Sequence, residues 1–134
     1  MQGNRDGEAI ERTLAAYLDT LNNADWDGFR QFFTDDATAF SPWGAFADRA
    51  TGRDAVVEAF RPSFVRWRAT LPGPPYLHIV PEDLHIQQVD GVAIATFHAR
   101  DEPSLGRRTL VFRHGSDGWK IVHVHASYLE ELRS

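Results

Sequence analysis

The sequence predicts an α+β fold in which helices pack on one face of a curved antiparallel sheet. Three observations predict it. The first half repeats its apolar residues at spacings of three and four, as helices do. The second half alternates apolar and polar residues with a period of two, as half-buried strands do. The alternating segments are joined by tight-turn sequences, "VDGV" and "GSDG", which suit antiparallel neighbours. At 134 residues the chain suits one domain, 1–134, with a single core. The sheet's second face then needs water or another subunit.

Each element has its own signal. From Asp6 to Asn23, the residues Ile10, Leu14, Tyr17, Leu18 and Leu21 form one helical stripe, with Asp6 as the expected N-cap. "NNAD" ends it. A short second helix carries Trp26, Phe29, Phe32 and Phe33 on its apolar side. "TDDATAFSPWG" breaks that helix and enters a short strand, Thr38 to Ser41, closed by Pro42. "TGRDAVVEAFRPSFVRW" is the third helix, with Thr51 and Asp54 as a capping box. Its stripe is Val56, Val57, Phe60, Phe64 and Trp67, and Pro62 is a point for a kink or a new turn. After "LPGPP" the strands are expected at Tyr76–Val80, Leu84–Val89, Val92–Asp101, Arg107–His114 and Trp119–Tyr128. Pro81 points to a sheet edge or a bulge between the first two.

Composition narrows the function. Hydrophobic residues make up 43% and charged residues 25%, as in ordinary soluble domains. There is no cysteine, which excludes disulfides, thiolate zinc sites and a cysteine nucleophile. The net charge of −5 argues against nucleic acid or an anionic membrane as the main partner. No apolar run is long enough for a membrane span, and no apolar leader opens the chain, so a cytoplasmic location is expected.

Chemistry concentrates near the end, in "GWKIVHVHAS". His123 and His125 are two residues apart on a strand and so share a face. Pairing His114 with Trp119 across "GSDG" would set Arg108, Leu110 and Phe112 beside Ile121, His123 and His125. One pocket would then gather His98, His123, His125 and Arg108, with Arg100 near it. Tyr17, Phe40, Trp43 and Phe46 would line it. Two histidines with His98 as a third ligand could hold a metal ion. The H-x-H spacing alone does not specify one, and no metal or cofactor is expected. As proton carriers the histidines would need an orienting carboxylate, and the nearest in sequence, Asp117, Glu130 and Glu131, lie in a turn or the tail. A structural role is the other reading. Ser127 beside His125 is not on a nucleophile elbow. An inward arginine would bind a carboxylate with two parallel hydrogen bonds. The nine Phe, four Trp and three Tyr mostly supply core, whereas Trp43, in a loop after Pro42, suits a rim or lid.

The helix-then-meander order, "DDATAFSPWG" and the closing "DGWKIVHVHAS" resemble the nuclear transport factor 2-like superfamily. Within it the chain is similar to the SnoaL-like branch. It particularly resembles the association domain of calcium/calmodulin-dependent protein kinase II, which shares the W-x-I-V-H-x-H-x-S pattern. The likeness runs from about Ile10 to Ser127. It implies a cone-shaped α+β barrel with a deep pocket, assembled as a homodimer or larger homo-oligomer through the outer sheet face. In "AYLDTLNNAD", Tyr17 falls where ketosteroid isomerases have their oxyanion-hole tyrosine. Ser41 falls where those enzymes have a general-base aspartate and the kinase domain a glutamate. A serine hydroxyl does not abstract an α-proton near neutral pH unaided. His98 and Leu110 fall where the kinase domain has pocket arginines.

The expectation is therefore a small-molecule-binding pocket for a partly apolar ligand, with a carboxylate as the group an arginine would hold. The alternative is a ketosteroid-isomerase-like enzyme, or a polyketide-cyclase or dehydratase. It would use His98 or His123 as base and Tyr17 to polarise a carbonyl. A third reading is an oligomerisation module.

Overall fold

The computed structural model describes residues 2–40, 49–101 and 104–129. The elements are α1 (Gln2–Asn22), α2 (Trp26–Arg30), β1 (Phe33–Phe40), β2 (Ala50–Thr51), α3 (Arg53–Thr70), β3 (Glu82–Val89), β4 (Val92–Asp101), β5 (Ser104–Gly115) and β6 (Gly118–Leu129). The class is α+β, as expected. The strands form one six-stranded sheet in the order β2-β1-β6-β5-β4-β3. It is mixed, because β1 runs parallel to β6 while the other neighbours are antiparallel. No described helix is long and apolar enough to cross a membrane.

Several boundaries differ from the sequence expectation. α1 starts at Gln2, so Asp6 lies inside the helix. α2 is capped by Asp25, whose carboxylate accepts from Gly28 N at 3.1 Å, and the helix ends at Arg30. Phe33 therefore opens β1 opposite Ile121, where it is fully buried. The expected capping box of α3 is absent. Its N-cap is Gly52, at φ +93°, with no side-chain hydrogen bond. Asp54 pairs with Arg30 instead. α3 runs through Pro62 to Thr70.

The expected strand Tyr76–Val80 does not join the sheet. Asn22 takes up its backbone groups. The Asn22 carbonyl accepts from Tyr76 N at 2.6 Å and Leu77 N at 3.1 Å. Its side chain accepts from Ile79 N at 2.8 Å and donates to the Ile79 carbonyl at 3.2 Å. The end of α1 thus serves this segment as a partner strand would. Pro81 precedes the edge strand β3, whose pairing with β4 is irregular between Glu82 and His85.

The core lies between the helices and the inner sheet face. Phe29 is its aromatic centre, 5.6 Å from Tyr17, 5.0 Å from Phe33, 5.2 Å from Phe60 and 4.9 Å from Phe64, ring centre to ring centre. From the sheet, Ala93, Ala95, Phe97, Leu110, Phe112, Ile121 and Val124 point inward and are buried.

One irregularity decides which polar residues meet. His114 pairs with Trp119, as expected, and Phe112 with Ile121. Val111 then pairs with His123, so Val122 is an extra residue in β6. Beyond this bulge Leu110 pairs with Val124, Thr109 with His125 and Arg108 with Ala126. The side-chain period is two, so one extra residue exchanges the faces.

Candidate functional site

The bulge divides the predicted pocket between two faces. Arg108, paired with Ala126 and Phe97, joins Leu110 and Val124 on the inner face. His123 and His125, paired with Val111 and Thr109, take the outer face. His98 is also on the outer face, alternating with buried Phe97 and Ala99. The expected gathering of Arg108 with three histidines is therefore corrected. Arg108 and Tyr17 come together, and the histidines do not join them. Phe40 is on the outer face with His123 and His125, its ring centre 5.8 Å and 5.4 Å from theirs. Trp43, Phe46 and Ser41 lie outside the described residues.

The inner face holds a cavity of about 120 Å³ between α1, α3, the Tyr76–Val80 segment and the sheet. Leu18, Leu21, Phe60, Phe97, Leu110 and Val124 make it apolar. Trp67, Leu77 and Ile79 also border it, the last two set in place by Asn22. The short side chain of Ala126 leaves room on the sheet floor. Tyr17, Arg66, Arg108 and Tyr128 provide the polar groups. Among the described residues no Asp or Glu borders the cavity.

Arg108 is steered into position. Its Cζ lies 5.3 Å from the Tyr128 ring centre, and its Nη2 donates to the Tyr128 hydroxyl at 3.5 Å. Its Nη1 donates to the Arg107 carbonyl at 3.3 Å. Gly106 makes this possible. A Cβ there would lie 2.9 Å from Arg108 Nη1 and 3.3 Å from the Tyr128 ring. An isolated glycine within a strand often marks such a close approach.

Tyr17 is only 3% exposed and packs against Phe29, Phe32 and Phe33. Burial pushes its hydroxyl well above the usual phenol range, and the Arg108 charge offsets part of that. The phenol stays protonated at every ordinary pH, so its O–H is available to donate a hydrogen bond.

The outer face has different chemistry. His98 Nδ1 lies 3.9 Å from an Asp83 carboxylate oxygen, and Arg100 Nε donates to Glu82 at 3.4 Å. His123 Nδ1 is 2.8 Å from the Thr38 hydroxyl. Burial, with the His125 and Arg49 charges, holds the His123 imidazole below its ordinary value. No group of three or more His, Cys, Asp or Glu suited to a metal ion occurs among the described residues. Sequence reasoning missed Arg66 and Tyr128. Tyr128 alternates with Val124 and Ala126, so its inward direction follows once the bulge is known.

Comparison with known proteins gives the family and the fold. The SnoaL-like domain pattern matches residues 10–131. The chain belongs to the SnoaL-like family. No curated protein matches its sequence. Solved structures share its fold. An NTF2-like protein of unknown function from Pseudomonas putida has a TM-score of 0.76 at 20% identity, covering 95% of this chain and 88% of that one. A candidate dehydratase of the NTF2-like family from Streptomyces avermitilis has a TM-score of 0.74 at 18% identity, covering 96% and 99%. The CaMKII hub of S. rosetta has a TM-score of 0.70 at 21% identity, covering 91% and 95%. At these identities the likeness shows the fold alone. It places this SnoaL-like chain among NTF2-like structures that include a hub domain.

Proposed function

We propose that this SnoaL-like domain binds a small, partly apolar carboxylate in its inner cavity. The observation that carries the reading is a guanidinium beside a protonated phenol in a cavity walled largely by apolar side chains, with no carboxylate among the described residues that border it. Arg108 holds the carboxylate, Tyr17 donates to it or to a neighbouring carbonyl, and the Phe60, Phe97 and Val124 walls cover the apolar body. Arg66 adds a second positive group at the boundary. The volume is close to that of an engineered cavity that holds one benzene ring, about 150 Å³. Single-ring acids such as benzoate and phenylacetate are the matching probes.

Binding is favoured over proton transfer. The histidine-base mechanism needs Tyr17 and His98 or His123 at one point, and the sheet separates them. Calorimetric titration with phenylacetate tests the reading. The expected result is saturable binding that Arg108→Gln weakens by roughly tenfold to a hundredfold, the worth of a charge-assisted hydrogen bond at about 1.5–3 kcal/mol. Equal binding by Arg108→Gln and the parent would refute it.

Self-association is a second reading. Its support is the outer sheet face, where Ile94, Val111 and Val122 remain half-exposed, together with the hub-domain likeness. Light scattering tests it, and a monomer at micromolar concentration would exclude it.

A further inference from the structure

The bulge that turns His123 and His125 outward sets them against the Phe40 ring, over which Arg49 also lies. Arg49 Cζ stands 5.1 Å from the Phe40 ring centre. The His123 and His125 ring centres are 6.4 Å apart, and Phe40 lies against both. Three basic side chains thus surround one aromatic ring at one end of the outer face. We infer that Arg49, His123, His125 and the Phe40 ring form an oxyanion-binding site separate from the inner cavity.

The charged groups around His123 are all of one sign among the described residues. From β6 the neighbour is His125, and from the segment leading into β2 it is Arg49. From β1 it meets Thr38 and Phe40, neither charged. From β5 it faces Val111, with Thr109 opposite His125 and Arg107 opposite Ser127 beyond that. The two charges that act on His123 are both positive and both oppose its protonation. No carboxylate acts on it among the described residues. A bound oxyanion would reverse that balance, because it favours the charged imidazolium. The hydroxyl of Thr38 engages Nδ1, which fixes the ring plane and assigns Nε2 to the ligand. Arg49 offers a planar fork suited to a carboxylate or a phosphate. Phe40 supplies an apolar surface for whatever bears the anion.

Binding and protonation are therefore coupled. The site strengthens as pH falls and His123 takes up its proton, below the ordinary histidine range in the unliganded fold. The test is an NMR titration of the His123 and His125 ring resonances against pH in inorganic phosphate, in benzoate and in chloride, all at one ionic strength. Matching ionic strength removes general screening, which alone raises the pKa of a histidine near cations. Phosphate or benzoate is expected to raise the His123 midpoint by about one unit over chloride, a tenfold preference for the protonated form. Arg49→Ala, at an exposed position, should abolish the difference with an unchanged circular dichroism spectrum. The larger of the two shifts identifies the anion as a phosphate or an aromatic carboxylate. Equal midpoints in all three salts, or a shift that survives Arg49→Ala, would overturn the site.

Discussion

Tyr17 can be taken apart into a ring and a hydroxyl, and the two should do separate things. The ring is buried against Phe29, Phe32 and Phe33, at centre distances of 5.6, 5.8 and 6.0 Å. Removing it in Tyr17→Ala should cost about 3–5 kcal/mol, as for other core aromatics. With 134 residues the unfolding entropy near the midpoint is about 0.28 kcal/mol per degree. A loss of about 4 kcal/mol then lowers Tm by about 14 °C. Tyr17→Phe keeps the ring and all three contacts. It removes only the hydroxyl at the cavity wall, so its effect should stay within about 1 kcal/mol, or about 4 °C. Binding of phenylacetate should instead weaken about fivefold, the worth of one neutral hydrogen bond of about 1 kcal/mol. Thermal unfolding followed by circular dichroism reads the first effect and calorimetric titration the second. If Tyr17→Phe lost as much stability as Tyr17→Ala, the hydroxyl would be a structural strut and its role in binding would be refuted.

Three further outcomes follow from the same structure. Gly106→Ala places a methyl 2.9 Å from both Arg108 Nη1 and the Ala99 carbonyl. It should weaken phenylacetate binding severalfold and cost about 1–3 kcal/mol by overpacking, read by titration and urea unfolding. Gly52 sits at φ +93° with nothing within 4 Å of where a Cβ would stand, so Gly52→Ala meets strain without a clash. A loss of about 1 kcal/mol or more is expected in urea unfolding, and a stabilised variant would contradict the backbone conformation. His123 has a lowered pKa in the fold, so below about pH 6.5 the unfolded chain takes up its proton first. Its contribution is present above that pH and is lost as pH falls through the folded value. In chloride buffer, stability should fall less steeply below about pH 6.5 in His123→Gln than in the parent; equal slopes would sink the assignment.

The helices and the hairpins were legible because their signals are local. The stripe of Ile10, Leu14, Tyr17, Leu18 and Leu21 places Tyr17 in the core, and it is there. "GSDG" sets the His114–Trp119 register, and that register holds. Non-local facts were not legible in the same way. Tyr76–Val80 has strand periodicity, but its backbone groups bind Asn22, some 57 residues away in sequence. Phe33 suits a helical stripe as well as a strand, and only its place opposite Ile121 decides. The loop carrying Trp43 and Phe46 lies outside the described residues, so its expected rim role stays with the sequence.

The bulge at Val122 is the most instructive case, because the sequence contains a reason for it. Without an extra residue, His123 would stand opposite Leu110 and His125 opposite Arg108, both facing the core. Val124 and Ala126 would then turn outward. Ile121 and Val124 are three apart, and Ala126 is two further on. A strict period of two cannot bury Ile121 together with Val124 and Ala126, yet all three are at most 4% exposed. The hydrophobic pattern therefore demands one inserted residue between Ile121 and Val124. Burying two imidazoles in place of Val124 and Ala126 would exchange apolar burial for polar desolvation, an unfavourable trade on both counts. The same insertion moves the histidines away from Tyr17 and leaves Arg108 over a floor of Val124 and Ala126. One backbone irregularity thus separates the inner cavity, with Arg108 and Tyr17, from the outer face that carries His123 and His125, and it does so through the needs of the core.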